Sequence, residues 1–296
     1  MSSPPNTFPD PIENMSSPPN AFPDPVESTP APLSDESFAG PVEILAAPAP
    51  KRFPSWTGWD VVAILVFTLV AILVFTLAAL FIARTLPQYH NATFTDLATS
   101  AAVVIGAQTA AYPVVLLFIF ILVRTRSGER FGEAIRWNWP GLLGPAFIIG
   151  GVVLALLIQG LARYLPIPKS LPMDAYFRDA SSAYLMAAFG LTLAPLLEEL
   201  FFRGLLYPVL RRSFGLIAGV VFTAGAFAAI HGAQLGYAWA PVLSIFIVGL
   251  TFTIVRVKTD SVAASFLMHC GYNFALFAAL WVASDHYRHL EKVTGP

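Results

Sequence analysis

Charge is what this sequence lacks. Asp, Glu, Lys and Arg make up 12% of its 296 residues, against roughly 25% in a soluble globular chain. A soluble fold so poor in charge could not cover its own surface. Cysteine is nearly absent as well. Cys270 stands alone, which excludes an intrachain disulfide framework, a cysteine-based zinc cluster and a CxxC redox pair. Nor is there an excess of positive charge: the formal net charge of −1 gives no footprint for nucleic acid. What fills the chain instead is apolar, 56% of all residues with a mean hydropathy of +0.67. An integral, multi-pass membrane protein is the class these numbers leave.

The apolar character begins abruptly. Residues 1–55 hold 14 of the 25 prolines and seven acidic residues, with only Lys51 and Arg52 as basic ones. MSSPPNTFPDPIEN recurs at once as MSSPPNAFPDPVES, a tandem duplication. Sequence rich in Pro, Ser and Asp cannot bury enough apolar surface to offset its ordering entropy, so a disordered, proline-rich tail is expected. It has no basic start followed by an apolar run, unlike a signal peptide.

Residues 56–296 are expected to form an all-α transmembrane domain. About 20 apolar residues cross a bilayer core, and runs of that length fall near 61–83, 98–123, 142–162, 183–210, 214–232, 239–256 and 261–283. This is a bundle of about seven helices. The first run contains VAILVFTL twice in succession, and losing one copy would leave it short of a span, so the repeat supplies anchor length. With the N-terminus inside, the inner segments carry ten Lys and Arg residues and the outer ones six. That bias orients the chain with its N-terminus in the cytoplasm, in an inner or cell membrane. The segment from Arg124 to Trp139 reads as a short interfacial amphipathic helix.

Within the spans, the full charges lying well inside are Glu198, Glu199 and Arg203. A charge at the bilayer centre costs at least ~2.5 kcal/mol on insertion scales, so each needs a partner or a purpose. Glu199 and Arg203 are i,i+4 neighbours and can neutralise one another. Glu198 points about 100° away around the helix and is left unexplained by that pairing. Two further i,i+4 pairs lie in later spans, Phe227 with His231 and His269 with Asn273. Counted from shared boundary residues at 1.5 Å per residue, Glu198, His269, Asn273 and His231 all fall at roughly 16–25 Å depth.

A carboxylate, two imidazoles and an amide at one level suit the attack of water on a carbonyl. The carboxylate acts as general base and an imidazole shares the proton, while the other imidazole and the amide donate to the tetrahedral oxyanion. No serine or cysteine stands in an evident nucleophile pattern with them. Two other readings use the same residues. Glu198, His231 and His269 match a His₂Glu zinc set with an open position for water, although there is no HExxH motif. Alternatively, intramembrane Glu and His residues serve proton relays in a non-catalytic transport or immunity protein.

At these residues the sequence resembles the CPBP (Abi) family, which holds type II CAAX prenyl endopeptidases and bacteriocin-processing or self-immunity proteins. The family pattern is EExxxR, FxxxH and HxxxN. Here it reads Glu198-Glu199-Leu-Phe-Phe-Arg203, Phe227-Ala-Ala-Ile-His231 and His269-Cys-Gly-Tyr-Asn273, in order and with no departure, within residues 183–283. The resemblance implies an intramembrane glutamate-type endopeptidase without a cofactor. Glu198 and His231 would activate water, His269 and Asn273 would stabilise the oxyanion, and Glu199 and Arg203 would support them. The substrate implied is a membrane-associated peptide, in the eukaryotic members a prenylated CAAX tail.

Overall fold

A computed structural model describes Met1 and residues 54–292 of the chain. The proline-rich tail and its tandem repeat therefore lie outside the described residues, apart from Met1, Pro54 and Ser55. The described residues form an all-helical bundle without strands. Its α-helices are α1 (Gly58–Thr85), α2 (Phe94–Ala98), α3 (Ala101–Ser127), α4 (Phe131–Ala134), α5 (Gly144–Ala162), α6 (Ala180–Leu191), α7 (Leu193–Glu199), α8 (Tyr207–His231), α9 (Trp239–Thr259) and α10 (Val262–Ala283). A π-helical segment, Leu200–Leu206, joins α7 to α8.

The helix ends follow local chemistry. Thr57 and Asp60 close a capping box on α1, satisfying two of the amide groups that a helix start leaves orphaned. Arg126, from the end of α3, grips the same Asp60 with Nε at 3.0 Å and Nη2 at 2.7 Å. Asp179 caps α6 by accepting from the Ser182 amide at 2.9 Å, and Ser261 caps α10 by accepting from that of Ala264 at 3.0 Å. Gly128, at φ 68°, stops α3, since a glycine takes a left-handed conformation without steric cost.

Six stretches among the described residues are long and apolar enough to cross a membrane, the fourth running for 52 residues from Ala180 to His231. That stretch is not one rod. Gly215 sits at φ 83° and ψ 179°, outside any helical region. A Cβ on Gly219 would lie 2.8 Å from the Cα of Arg211, whereas residues eight apart along a continuous helix are about 12 Å apart. The chain therefore turns back at Gly215 and divides this stretch into two legs. The turn falls just after Arg211 and Arg212, where the apolar run is interrupted.

Lipid, not water, is the solvent these faces fit. Leu65, Leu69, Leu73 and Leu77 on α1 and Ile149 and Leu156 on α5 are exposed, far more contiguous apolar surface than a soluble monomer shows. Hydrophobicity does not drive helices together in lipid, so close contact between small residues must do so. The crossing of α5 and α10 uses this device. A Cβ on Gly151 would collide with the Met268 carbonyl, and one on Gly271 with that of Ile148. Two of the apolar clusters among the described residues flank the middle of the bundle. One joins α1, α3 and the π-helical segment through Ile64, Val115, Ile119, Leu200 and Leu205. The other joins α5, α9 and α10 through Leu154, Ile158, Val248, Phe252, Met268 and Tyr272. The π-helical segment and the middle of α10 meet between them.

The segment after α3 departs from expectation. Only four residues, Phe131–Ala134, are helical, so the interfacial amphipathic helix is reduced to a single turn. Arg136 takes a left-handed conformation at φ 61°, its carbonyl accepts from the Val262 amide at 2.9 Å, and the Asn138 side chain donates to the Asp260 carbonyl at 2.7 Å. Backbone pairing with the α9–α10 turn has replaced helix continuation.

Candidate active site

The intramembrane charges sit where the helix changes its pitch. Glu198 and Glu199 end α7, and Arg203 lies in the π-helical segment. A π-helical stretch widens the backbone ladder and leaves carbonyls in need of other donors, a feature common at functional sites. Both freed carbonyls are met from outside the helix. Arg256 on α9 donates Nε to the Arg203 carbonyl at 3.3 Å. Trp56, ahead of α1 and buried, donates Nε1 to the Leu205 carbonyl at 3.1 Å. Neither residue was singled out from sequence, because a tryptophan and an arginine at the rim of apolar runs look like ordinary interfacial anchors.

Glu199 and Arg203 are both fully buried and paired at 2.8 Å between Oε1 and Nη1, as the i,i+4 spacing predicts. Arg203 also donates Nη2 to the Gly249 carbonyl at 2.8 Å. Its guanidinium lies 4.5 Å from the Phe227 ring centroid and 5.4 Å from that of Phe252, within the range of cation–π attraction. A buried charge is tolerable only when paired and hydrogen-bonded in this way. Even so, Oε2 of Glu199 and Nε of Arg203 have no hydrogen-bond partner, so the pair has no spare contacts to lose.

The same Glu199 oxygen that takes Arg203 also receives His269 Nδ1 at 3.0 Å. An ionised carboxylate only accepts, so Nδ1 carries the hydrogen and the ring is fixed in one orientation. Phe252 stacks beside it at 4.7 Å between centroids. The other ring nitrogen, Nε2, then faces Glu198, with Oε2 3.8 Å away. That separation is too long for a direct hydrogen bond. The Glu198 side chain keeps 24% of its exposure, unlike the sealed Glu199. Of two adjacent carboxylates, one is thus neutralised and structural in character, and the other is open beside an imidazole edge.

His231 joins the group through Phe227. It donates Nδ1–H to the Phe227 carbonyl at 2.8 Å, which fixes its tautomer and leaves a lone pair on Nε2. The Phe227 ring contacts His231 at 4.8 Å and His269 at 5.9 Å between centroids. One phenylalanine therefore packs against both imidazoles and against the arginine.

Asn273 has a task that sequence reasoning missed. Thr192 lies at φ −126° and ψ −80°, breaking the helix between α6 and α7 and freeing carbonyls at the end of α6. Asn273 donates Nδ2–H to the Gly190 carbonyl at 2.7 Å. Cys270 donates Sγ–H to that of Leu191 at 3.5 Å. One amide hydrogen of Asn273 is spent on this tie, and its second remains for another acceptor. The signal in the sequence is Pro195, which has no N–H for the Leu191 carbonyl four residues back and whose ring crowds it.

The sequence-predicted residues thus divide. Glu198, Glu199, Arg203 and His269 form one contacting cluster, His231 adjoins it through Phe227, and Asn273 braces the α6 break one turn beyond His269. Among the described residues no three His, Cys, Asp or Glu side chains are grouped to hold a metal ion.

No curated protein and no solved structure matches the chain. One family model does match, over residues 180–275, and it is described as Type II CAAX prenyl endopeptidase Rce1-like. Those residues run from the start of α6 into α10 and carry Glu198, Glu199, Arg203, His231, His269 and Asn273, so over this third of its length the multi-pass membrane chain is similar to the type II CAAX prenyl endopeptidases.

Proposed function

We propose that the protein is an intramembrane endopeptidase that hydrolyses a membrane-associated peptide by direct attack of water activated by Glu198. The observation that carries this reading is the contrast between the two glutamates. Glu199 is sealed and neutralised by Arg203, whereas Glu198 is partly open and stands 3.8 Å from His269 Nε2. Glu198 accepts a proton from water as the water oxygen bonds to the scissile carbonyl carbon. His231, with its Nε2 lone pair, shares that proton. The negative charge that develops on the carbonyl oxygen is met by the second amide hydrogen of Asn273 and by His269 in its imidazolium form, which donates from Nε2 while its Nδ1–H stays on Glu199. Collapse of the tetrahedral species breaks the carbon–nitrogen bond, and the departing amine takes the proton back.

Glu199 and Arg203 are supporting groups in this scheme, holding His269 in register. No metal is required in it. The substrate class proposed is a CAAX-type or other membrane-embedded peptide, cleaved near a lipid-anchored terminus. The N-terminus and the basic end of the bundle are assigned to the cytoplasmic side of a cell membrane.

The test is peptide mass spectrometry on membranes from cells carrying the wild-type protein or its Glu198→Ala variant. Peptides shortened at a C-terminus should appear with the wild-type protein alone. Identical peptide profiles in the two membranes would overturn the proposal.

A further inference from the structure

A second site lies away from the glutamates, at the basic end of the bundle. The start of α1, the end of α3, the turn before Gly215 and the end of α9 enclose an open basin of about 550 Å³, a size that suits a small ligand or headgroup. Arg136, Arg211, Arg256 and Lys258 line it, against two carboxylates, Glu129 and Asp260. Asp260 is shared: Arg256 Nη1 binds its Oδ1 at 2.7 Å, while Arg136 Nη1 reaches Oδ2 only at 3.8 Å. Arg211 leans on the Tyr207 hydroxyl at 3.3 Å. Cations outnumber carboxylates two to one, and Arg136 is held only at the limit of an ion pair.

The backbone adds an independent sign. Arg136 stands at φ 61° and Asp260 at φ 49°, both as the residues that close helices, where glycine or asparagine is the undemanding choice. Aspartate visits this region readily, but arginine does so at a steric cost. Strain of this kind persists where the side chain is needed, and here the side chain is a guanidinium lining the basin. Trp59 and Trp139 are exposed near this end, as tryptophans are at the level of lipid headgroups.

We propose that this basin binds a phosphate-bearing anion, either the headgroup of an anionic phospholipid or free phosphate. Guanidinium forks match phosphate oxygens two by two, and a site at headgroup depth is presented to lipid phosphate at high local concentration. The basin also touches the catalytic region. Arg256, which lines it, holds the carbonyl of Arg203.

The experiment uses the full-length protein in phosphatidylcholine micelles. Binding of short-chain phosphatidylglycerol is followed by native mass spectrometry, with inorganic phosphate as competitor. The wild-type protein should retain phosphatidylglycerol at least tenfold more tightly than phosphatidylcholine. Arg136→Gly and Lys258→Gln should each weaken binding about fivefold. Arg136→Gly relieves a left-handed arginine, so its thermal midpoint in phosphatidylcholine should match or exceed that of the wild type. Displacement by low-millimolar phosphate assigns the site to free phosphate, and retention against it assigns the site to the headgroup. No preference for the anionic lipid together with no phosphate binding overturns the proposal. So does undiminished binding by Arg136→Gly, or an equal loss from Arg163→Gln at the far end of α5.

Discussion

Removing the charge of Arg203 while keeping its bulk, as in Arg203→Met, should strand Glu199 as an unpaired anion with no exposure at all. The variant loses the 2.8 Å pairing with Glu199, the 2.8 Å bond to the Gly249 carbonyl, and the contacts with Phe227 and Phe252. Breaking one side of a buried pair costs about 3–5 kcal/mol. Glu199 Oε2 already lacks a partner, so the His269 Nδ1–H on Oε1 is left to meet a full buried charge. Adding Glu199→Gln removes that charge but keeps an acceptor for His269, and should recover about 2–3 kcal/mol of the loss. The assay is a double-mutant cycle read by unfolding in mixed micelles with increasing denaturing detergent. A single variant within about 1 kcal/mol of wild type, or a double variant no better than the single, would refute the reasoning.

Three further perturbations test the scaffold and the chemistry. Gly271→Ala places a methyl group against the Ile148 carbonyl, so α5 and α10 must separate; a loss of at least about 1–3 kcal/mol should appear in the same unfolding assay, together with reduced activity as His269 shifts. Trp56→Phe leaves the Leu205 carbonyl without its donor and should cost about 1–3 kcal/mol, measured as a lowered thermal midpoint. Incubating the purified enzyme with a strong zinc chelator should leave peptide cleavage unchanged; loss of activity restored by stoichiometric zinc would favour a metal-dependent mechanism.

The spans were legible because lipid demands unbroken apolar runs, and the observed helices lie within a few residues of those runs. The turn at Gly215 was legible too, since Arg211 and Arg212 interrupt the hydrophobicity there. Glu198, Glu199 and Arg203 stood out because charge is expensive in a membrane, and spacing alone paired the last two. Tertiary partners decided what spacing could not. The π-helical pitch depends on Trp56 and Arg256 meeting its freed carbonyls, and the break at Thr192 depends on Asn273 and Cys270 doing the same for α6. The amphipathic pattern around Arg130 pointed to a helix, but pairing of Arg136 and Asn138 with the α9–α10 turn ended it after one turn. The nearness of His269 to both glutamates was beyond sequence, because it rests on the close crossing of α5 and α10 and on the packing of α9 at Phe252.

The most direct measurement compares peptide cleavage by purified wild-type protein and Glu198→Gln in the same micelles, after both show the same thermal unfolding. A glutamine keeps the shape of the side chain but cannot accept the proton from water. Expected is a fall in kcat of about 10²–10⁴-fold with KM little changed. Cleavage at the wild-type rate by a normally folded Glu198→Gln protein would contradict the assignment of Glu198 as the base.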